Sequence, residues 1–143
     1  MIRLLKQSDI EYLKTHSVSR GLFDKMPEVI DYVYTSEFRG EVLAVGGIKL
    51  VNLYTAWCWG DYTDKALEHG RIVARDTRTM HDTFAQSMGL SRMQTYVECD
   101  FERAIKFIEF CGFKREDRMP KFMGDKDAYM YVRLYDSTVS KKD

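Results

Sequence analysis

Apolar residues recur along this chain in two rhythms, one typical of β-strands and one typical of helices. Strict alternation of apolar and polar positions runs through residues 92–99 and 128–134, as in half-covered strands whose successive side chains point to opposite faces. Shorter apolar runs flank residues 39–41, which predict a hairpin turn around Gly40. The predicted strands are 2–5, 34–38, 42–50, 53–59, 92–99 and 128–134, with one more near 113–116.

The helical rhythm is clearest over residues 67–88, where apolar side chains fall on one stripe. Gly89 follows as a residue suited to the left-handed conformation that ends a helix. A shorter helix is predicted over 101–110, with Gly112 as its stop signal. The other predicted segments are a helix opened by a capping box of Ser8 and Glu11, a helical stretch over 19–34, and a loop over 60–64.

The order of these elements predicts an α+β fold in a single domain over residues 1–136. Three consecutive strands in the middle of the chain imply an antiparallel section, and the strand-helix-strand unit after them implies a parallel or mixed section. The Gly46-Gly47 pair inside the second hairpin strand predicts a bulge or a close backbone approach. Residues 137–143 are polar and charged and are expected to be a disordered tail.

Charge and composition exclude several functions. Lys plus Arg and Asp plus Glu both number 22, and this zero net charge argues against a general electrostatic grip on nucleic acid. No apolar stretch approaches the roughly 18 residues that a membrane span requires. The three histidines have no spacing that gathers them with Cys or carboxylates, so no metal site is predicted.

The cysteines indicate the compartment. Cys58, Cys99 and Cys111 are odd in number, widely spaced and surrounded by apolar residues. They are expected to be reduced, buried and packed like small hydrophobic residues. The chain also starts without an apolar run of signal-peptide length. We therefore expect a cytoplasmic protein.

Two segments carry a resemblance to a known family. Residues 103–113 read RAIKFIEFCGF. They resemble the GNAT superfamily pattern in which an Asn opens a short helix, Ala-Ile and then an aromatic-Tyr pair follow, and the helix ends in Gly-Phe. Residues 39–48, RGEVLAVGGI, look like the second and third strands of that family. The resemblance covers residues 2–134 and is closest to the small GNAT-like proteins of T7-type bacteriophages. It implies a mixed, mostly antiparallel sheet with helices on both faces.

The resemblance also implies a cofactor, acetyl-CoA, and a site for it. The strands that contain Trp59 and Glu98 would diverge, and a helix start beside the gap would offer free amide groups to a diphosphate. Basic side chains at that helix start could add charge-assisted bonds to phosphate. The predicted cofactor-binding residues are Trp59, Gly60, Lys65, His69, Gly70, Arg71, Arg103 and Lys106.

An amine acceptor needs a base, and the leaving sulfur needs an acid. Glu98 is the candidate base because it ends the strand beside the expected acyl site, and Tyr96 is the nearest candidate hydroxyl acid. Asp100, Asp61 and Glu41 are further carboxylates in the same region of the predicted fold. The acceptor pocket would be shaped by residues 19–34 and 119–127.

Three functional hypotheses follow. The first is an N-acyltransferase that moves an acetyl group from acetyl-CoA to an amine. The second is a catalytically degenerate GNAT-fold phage protein that acts in virion assembly or host interaction, because only Gly70 marks the acyl-CoA loop, Phe101 stands at the family's Asn position and Ile108 at its Tyr position. The third is a homodimeric binding domain with Tyr129, Tyr131 and Tyr135 at its interface. Whether the chain is an enzyme stays open at this point.

Overall fold

A computed structural model describes residues 2–16 and 32–136 of the chain. Residues 19–31 of the helical stretch predicted over 19–34, and the predicted tail over 137–143, lie outside the described residues. The described elements are β1 (Ile2–Leu4), α1 (Gln7–His16), β2 (Tyr32–Phe38), β3 (Glu41–Leu50), β4 (Thr55–Tyr62), α2 (Asp64–Glu68), α3 (Gly70–Met88), β5 (Arg92–Glu98), α4 (Glu102–Phe110), β6 (Lys114–Met123) and β7 (Lys126–Leu134).

The strands form one seven-stranded sheet in the order β1-β2-β3-β4-β5-β7-β6. The β1–β2, β2–β3, β5–β7 and β6–β7 pairs are antiparallel, whereas β4 and β5 run parallel, with Thr55 to Trp57 opposite Arg92 to Gln94. A parallel pair needs a crossover connection, and helices α2 and α3 supply it. The predicted α+β class with a mixed, mostly antiparallel sheet is confirmed.

The chain divides into two compact units. Unit 1 takes the chain up to Lys49 together with Cys58–Met80, and unit 2 takes Leu50–Trp57 together with the chain from His81 onward. Strand β4 and helix α3 therefore each contribute residues to both units. The single domain over residues 1–136 stays a prediction.

The β2–β3 hairpin of unit 1 has the turn that the sequence predicts. Arg39 and Gly40 both have positive φ, at 52° and 81°, as the two-residue turns that match strand twist require. Strand β2 begins at Tyr32, so residues 32–34 are strand and the predicted helix does not reach them. The register shift lies at Ser36/Glu37 rather than at the glycine pair.

Close backbone approach explains that glycine pair. A Cβ at Gly46 would collide with the Tyr34 ring, and a Cβ at Gly47 would collide with the indole of Trp59. Each glycine therefore lets an aromatic ring lie directly over the strand. Of the two alternatives that the sequence left for this pair, the close approach is correct.

The first helix starts one residue earlier than its predicted capping box. Because α1 begins at Gln7, Ser8 is already helical, and the Asp9 carboxylate accepts the N–H of Lys6 at 2.8 Å. Asp9 is 2% exposed and also accepts two bonds from the Arg3 guanidinium, each 2.8 Å, and one from Thr35 Oγ1 at 2.9 Å. Burial of this carboxylate is compensated because four donors surround it.

The predicted loop over 60–64 is wrong. Strand β4 continues through Tyr62, and the one-turn helix α2 follows it at once. Thr63 is fully buried, its N–H donates to the Leu43 carbonyl at 3.0 Å, and its hydroxyl donates to the Val42 carbonyl at 2.9 Å. These bonds extend the strand pairing past a stretch whose local composition favours a turn.

Unit 2 is built on β5, β7 and β6, with α4 and the second half of α3. Gly89 and Gly112 have positive φ, 68° and 96°, and end α3 and α4 as predicted. Strand β6 is longer than the sequence indicates, since it runs to Met123. The largest fully buried side chains of this unit are Tyr131, Leu90 and Met93.

Candidate functional site

The start of helix α3 in unit 1 is the place where the predicted cofactor residues His69, Gly70 and Arg71 lie. His69 precedes the helix, and its carbonyl accepts the N–H groups of Ile72 and Val73 at 3.0 and 3.1 Å. The first turn holds no acidic residue, so no side-chain carboxylate there offsets the positive end of the helix dipole. A Cβ built on Gly70 would have no atom within 4 Å, which shows that the space in front of it is open.

Two cations near this helix start differ in their partners. Lys65 Nζ lies 3.8 Å from a Glu41 oxygen and 3.6 Å from a Glu68 oxygen. The charge of Glu41, and then that of Glu68, raises the pKa of Lys65. Arg71 is exposed and, in the described part of the chain, has neither a hydrogen bond nor an ion pair. Of the two cations, only Lys65 is thus paired with carboxylates in the described part of the chain.

The remaining predicted cofactor residues of unit 1 lie on β4 and beside α3. Trp59 is half-buried over Gly47, and Gly60 has no room for a side chain because Tyr62 lies against it. The His69 ring packs on Phe38 with centroids 4.9 Å apart. These contacts are structural, and they fix the last part of β4 and the residue before α3.

The predicted catalytic residues belong to unit 2, on strand β5. Glu98 is partly buried and its Oε1 lies 2.8 Å from Lys126 Nζ, which also lies 3.5 Å from an Asp100 oxygen. A hydrogen bond with Glu98, together with the charge of Lys126, holds the pKa of Asp100 below its usual range. Two carboxyl groups, those of Glu98 and Asp100, share one ammonium group here.

Tyr96 lies two residues before Glu98 on the same face of β5. Its ring is 41% exposed and makes edge-to-face contacts with Trp57, at 6.2 Å between centroids, and with Phe122, at 4.8 Å. The three rings form a ladder, which we call the aromatic shelf. Its members come from β4, β5 and β6.

The other predicted cofactor residues of unit 2, Arg103 and Lys106, are exposed on helix α4. Among residues 2–16 and 32–136, neither makes a hydrogen bond or an ion pair. Ile108, on the same helix, is buried, so the position where the resembled family has Tyr is part of the core here. The Asn position of that family is Phe101, which precedes the first turn of α4.

An open groove of about 310 Å³ lies at the end of the β6–β7 hairpin. Its lining residues are Cys99, Asp100, Arg118, Asp125, Lys126 and Asp127. Cys99 is half-exposed, whereas Cys58 and Cys111 are buried as the sequence predicts. All three cysteines are free thiols.

Of the three tyrosines that suggested a dimer interface, Tyr131 is fully buried and the other two are half-exposed. The Tyr131 hydroxyl donates to Glu109 at 2.7 Å and accepts from Arg115 at 3.1 Å. The Tyr135 hydroxyl lies 3.4 Å from an Asp82 oxygen. Tyr131 is therefore part of the core of unit 2, whereas an interface that includes Tyr129 and Tyr135 stays a prediction.

Sequence patterns did not single out Phe122 or Asp127. Both lie in the stretch 119–127, whose mixture of Pro, Gly and charged residues gives no periodic signal. Only the pairing of β6 with β7 reveals that this stretch is ordered.

Two other features concern metal ions and membranes. No group of three or more His, Cys, Asp and Glu residues within the described chain is arranged to hold a metal ion. No helix in residues 2–16 or 32–136 has the length and apolar character needed to cross a membrane.

Comparison with known proteins gives a consistent answer at the level of fold. No family model and no curated protein sequence matches this chain. Solved structures do match, among them Ard1 from Thermoplasma volcanium, with a TM-score of 0.71 at 15% identity over 94% of this chain and 96% of that one. A point mutant of the spermidine N-acetyltransferase SpeG from Vibrio cholerae gives 0.70 at 11% identity over 100% and 99% of the two chains.

A third neighbour is the ribosomal-protein alanine N-acetyltransferase from Escherichia coli, with a TM-score of 0.68 at 14% identity over 94% of this chain and 92% of that one. The chain therefore has the fold of the GNAT acetyltransferases, and this confirms the fold that the resemblance implied. At identities this low the likeness concerns the fold alone.

Proposed function

We propose that this protein transfers an acetyl group from acetyl-CoA to an amine. The observation that carries the proposal is the start of α3. There the space at Gly70 is open, Arg71 has no partner among the described residues, and the first turn holds no acidic residue. Free amide groups, a positive helix end and a guanidinium are the chemistry that a diphosphate requires.

The residues present fit the phosphate portion of acetyl-CoA. Gly70 and Arg71 would hold the diphosphate, and Arg103 or Lys106 would hold a ribose phosphate from the exposed face of α4. Lys65 fits less well, since Glu41 and Glu68 already neutralise it. Trp59, Gly60 and His69 would act through their packing rather than through charge.

The thioester of acetyl-CoA supplies an acetyl group activated for attack by an amine. On the protein side, Glu98 would accept a proton from the attacking nitrogen, and the Tyr96 hydroxyl would donate one to the departing sulfur. Lys126 holds the Glu98 carboxylate in place at 2.8 Å. In this scheme Lys126 already holds the Glu98 carboxylate at the end of β5 before an acceptor binds.

Thermal unfolding in the presence of acetyl-CoA and of CoA tests the proposal. A ligand at 100 times its Kd stabilises the folded state by about 2.7 kcal/mol, which raises the Tm of a chain of this size by roughly 5–10 °C. Arg71→Glu should remove most of that rise. Arg78→Glu is the matched control, because Arg78 is also exposed and unpartnered in the described chain but lies two turns further along α3.

Absence of a shift at millimolar acetyl-CoA and CoA would overturn the proposal. An equal loss in Arg71→Glu and Arg78→Glu would place the phosphate elsewhere on α3.

For the base, Glu98→Gln should lower kcat by about a hundredfold, the scale of general base catalysis. Glu102→Gln, an exposed carboxylate at the start of α4, is the control and should keep wild-type kcat. Release of CoA thiol in the presence of a panel of primary amines provides the readout, and full activity of Glu98→Gln would exclude this base.

The second candidate is a GNAT-fold phage protein without catalytic activity, which acts in virion assembly or host interaction. The observation that favours it is the buried Ile108 at the position where the family has a Tyr hydroxyl. The resemblance of the chain as a whole to the GNAT-like proteins of T7-type phages supports a phage origin, and the three free thiols support a cytoplasmic location, in the host if so. The same thermal experiment separates the two candidates, because the second expects no stabilisation by either ligand.

A further inference from the structure

Strand β6 contains an irregularity that places one aromatic ring. Met119 lies opposite Ala128 and Met123 lies opposite Lys126, so four steps along β6 match only two steps along β7. The extra residues form a bulge around Lys121, which has a φ of 54° although it is not glycine. A long side chain in this conformation is strained, and such strain persists where neighbouring contacts hold it.

Asp127 provides those contacts. Its Oδ1 accepts the backbone N–H of Lys121 at 2.9 Å, and its Oδ2 accepts two bonds from the Arg118 guanidinium, at 3.0 and 2.8 Å. The bond to the Lys121 N–H, and then the one to Arg118, lowers the pKa of Asp127. A single carboxylate, that of Asp127, thus binds both Lys121 in the bulge and Arg118 just before it.

The fastened bulge brings Phe122 onto the ring of Tyr96, which in turn meets Trp57. Phe122 is 45% exposed and Tyr96 41%, so the aromatic shelf presents much of its area to solvent. Solvent exposure of ordered aromatic rings works against folding, because apolar surface stays in water. An ordered, strained and exposed arrangement of this kind is typical of a binding surface.

Charge at the end of the shelf indicates what it binds. Tyr96 and Glu98 point to the same face of β5, and the carboxyl groups of Glu98 and Asp100 lie beside a single ammonium group, that of Lys126. Aromatic faces also attract cations. The shelf and its acidic end therefore complement a ligand with a flat apolar part and a positively charged group beside it.

We propose that the aromatic shelf selects the acceptor, and that this acceptor is an ammonium compound with an aromatic or flat apolar group next to its amine. The inference rests on the proposed acetyl transfer for the role of the bound amine, and it names the substrate class. Phe122 is then a specificity-determining residue, and Asp127 is a positioning residue that acts through the bulge.

Binding of small probes without acetyl-CoA tests this independently of catalysis. In NMR titrations at neutral pH, 2-phenylethylammonium should bind the protein more tightly than either butylammonium or the uncharged 2-phenylethanol. Phe122→Ala should weaken 2-phenylethylammonium about fivefold, the scale of one aromatic or cation–π contact. Phe110→Ala is the matched control, because Phe110 is a 60% exposed ring on α4 outside the shelf, and it should leave affinity unchanged.

The bulge itself is tested with two variants of one residue. Asp127→Ala removes the acceptor of the Lys121 N–H and should weaken the probe as much as Phe122→Ala does. Asp127→Asn keeps an oxygen acceptor at that position and should restore most of the affinity, which a general loss of stability would not do. Equal probe affinity in Phe122→Ala and wild type, equal affinity for 2-phenylethanol and 2-phenylethylammonium, or no binding at about 20 mM probe would overturn the proposal. Because acetyl-CoA is absent, these results stand apart from the thermal test of acetyl transfer.

Discussion

The two ends of helix α3 have opposite environments. At the first end, in unit 1, Gly70 faces open space and Arg71 has no partner within the described residues. At the far end, in unit 2, His81 is 3% exposed and packs edge-to-face on Phe113, with ring centroids 5.5 Å apart. Asp82 accepts an ion-pair contact from Arg133 at 2.7 Å.

The polar groups at the two ends of this amphipathic helix have different roles. The far end is held by burial and closed by Gly89, and the N–H of Leu90 donates to the Ala85 carbonyl at 2.9 Å. Its polar groups serve packing. At the near end, by contrast, Arg71 makes no side-chain hydrogen bond or ion pair with the residues that the structure describes.

Acidification should affect the far end most. Burial, and then the charge of Arg133, lowers the pKa of His81 to about 4, against an opposing contribution from Asp82. The unfolded chain binds this proton near pH 6.5, so the stability from neutral His81 is complete above pH 6.5 and falls as pH drops to 4. The loss should reach about 3 kcal/mol in urea unfolding, at 1.36 kcal/mol per pKa unit.

His81→Leu tests the assignment, since it should flatten stability between pH 6.5 and 4 relative to wild type. His16→Gln, at an exposed position on α1, is the control and should keep the wild-type slope. A wild-type slope in His81→Leu would mean that another group titrates.

A side chain at Gly70 should affect only the near end. Gly70→Val places its methyl groups in open space, so the Tm without ligand should stay close to that of wild type. Affinity for acetyl-CoA should fall about tenfold, or 1.4 kcal/mol, because the side chain occupies the space before the helix amides. Isothermal titration measures this loss, with Gly70→Ala as the smaller step. Wild-type affinity in Gly70→Val would show that no ligand approaches this end.

The smallest effect is expected at Lys65. Its ammonium is already neutralised by Glu41 and Glu68, so Lys65→Gln should change acetyl-CoA affinity by less than about twofold. Arg71→Gln, measured beside it, should weaken binding several-fold. If the two variants lost affinity equally, the contrast between a paired and an unpaired cation would not hold.

Local patterns predicted most elements of this protein because their signals are contained in short segments. The stripe of α3, the glycines that end α3 and α4, and the alternation in β5 and β7 depend on neighbours within one or two turns. The resemblance carried by residues 103–113 likewise led to the fold that solved structures confirm. The resemblance also suggested Gly70 and Arg71 as cofactor residues, although the helix predicted over 67–88 begins at Gly70.

Tertiary contacts decided what local patterns left out. Strand β4 passes through residues that favour a turn because Thr63 finds carbonyl partners on β3, twenty residues away. Strand β6 has no periodic burial and exists because β7 pairs with it.

The amino-acid sequence alone determined the class of fold and the glycines that end α3 and α4. Only the tertiary structure decided which charges are neutralised, as at Lys65, and which rings meet, as at Phe122 and Tyr96. The physical reason is that hydrogen bonds, ion pairs and ring contacts join residues by distance in space, whereas propensity and periodicity act between neighbours along the chain.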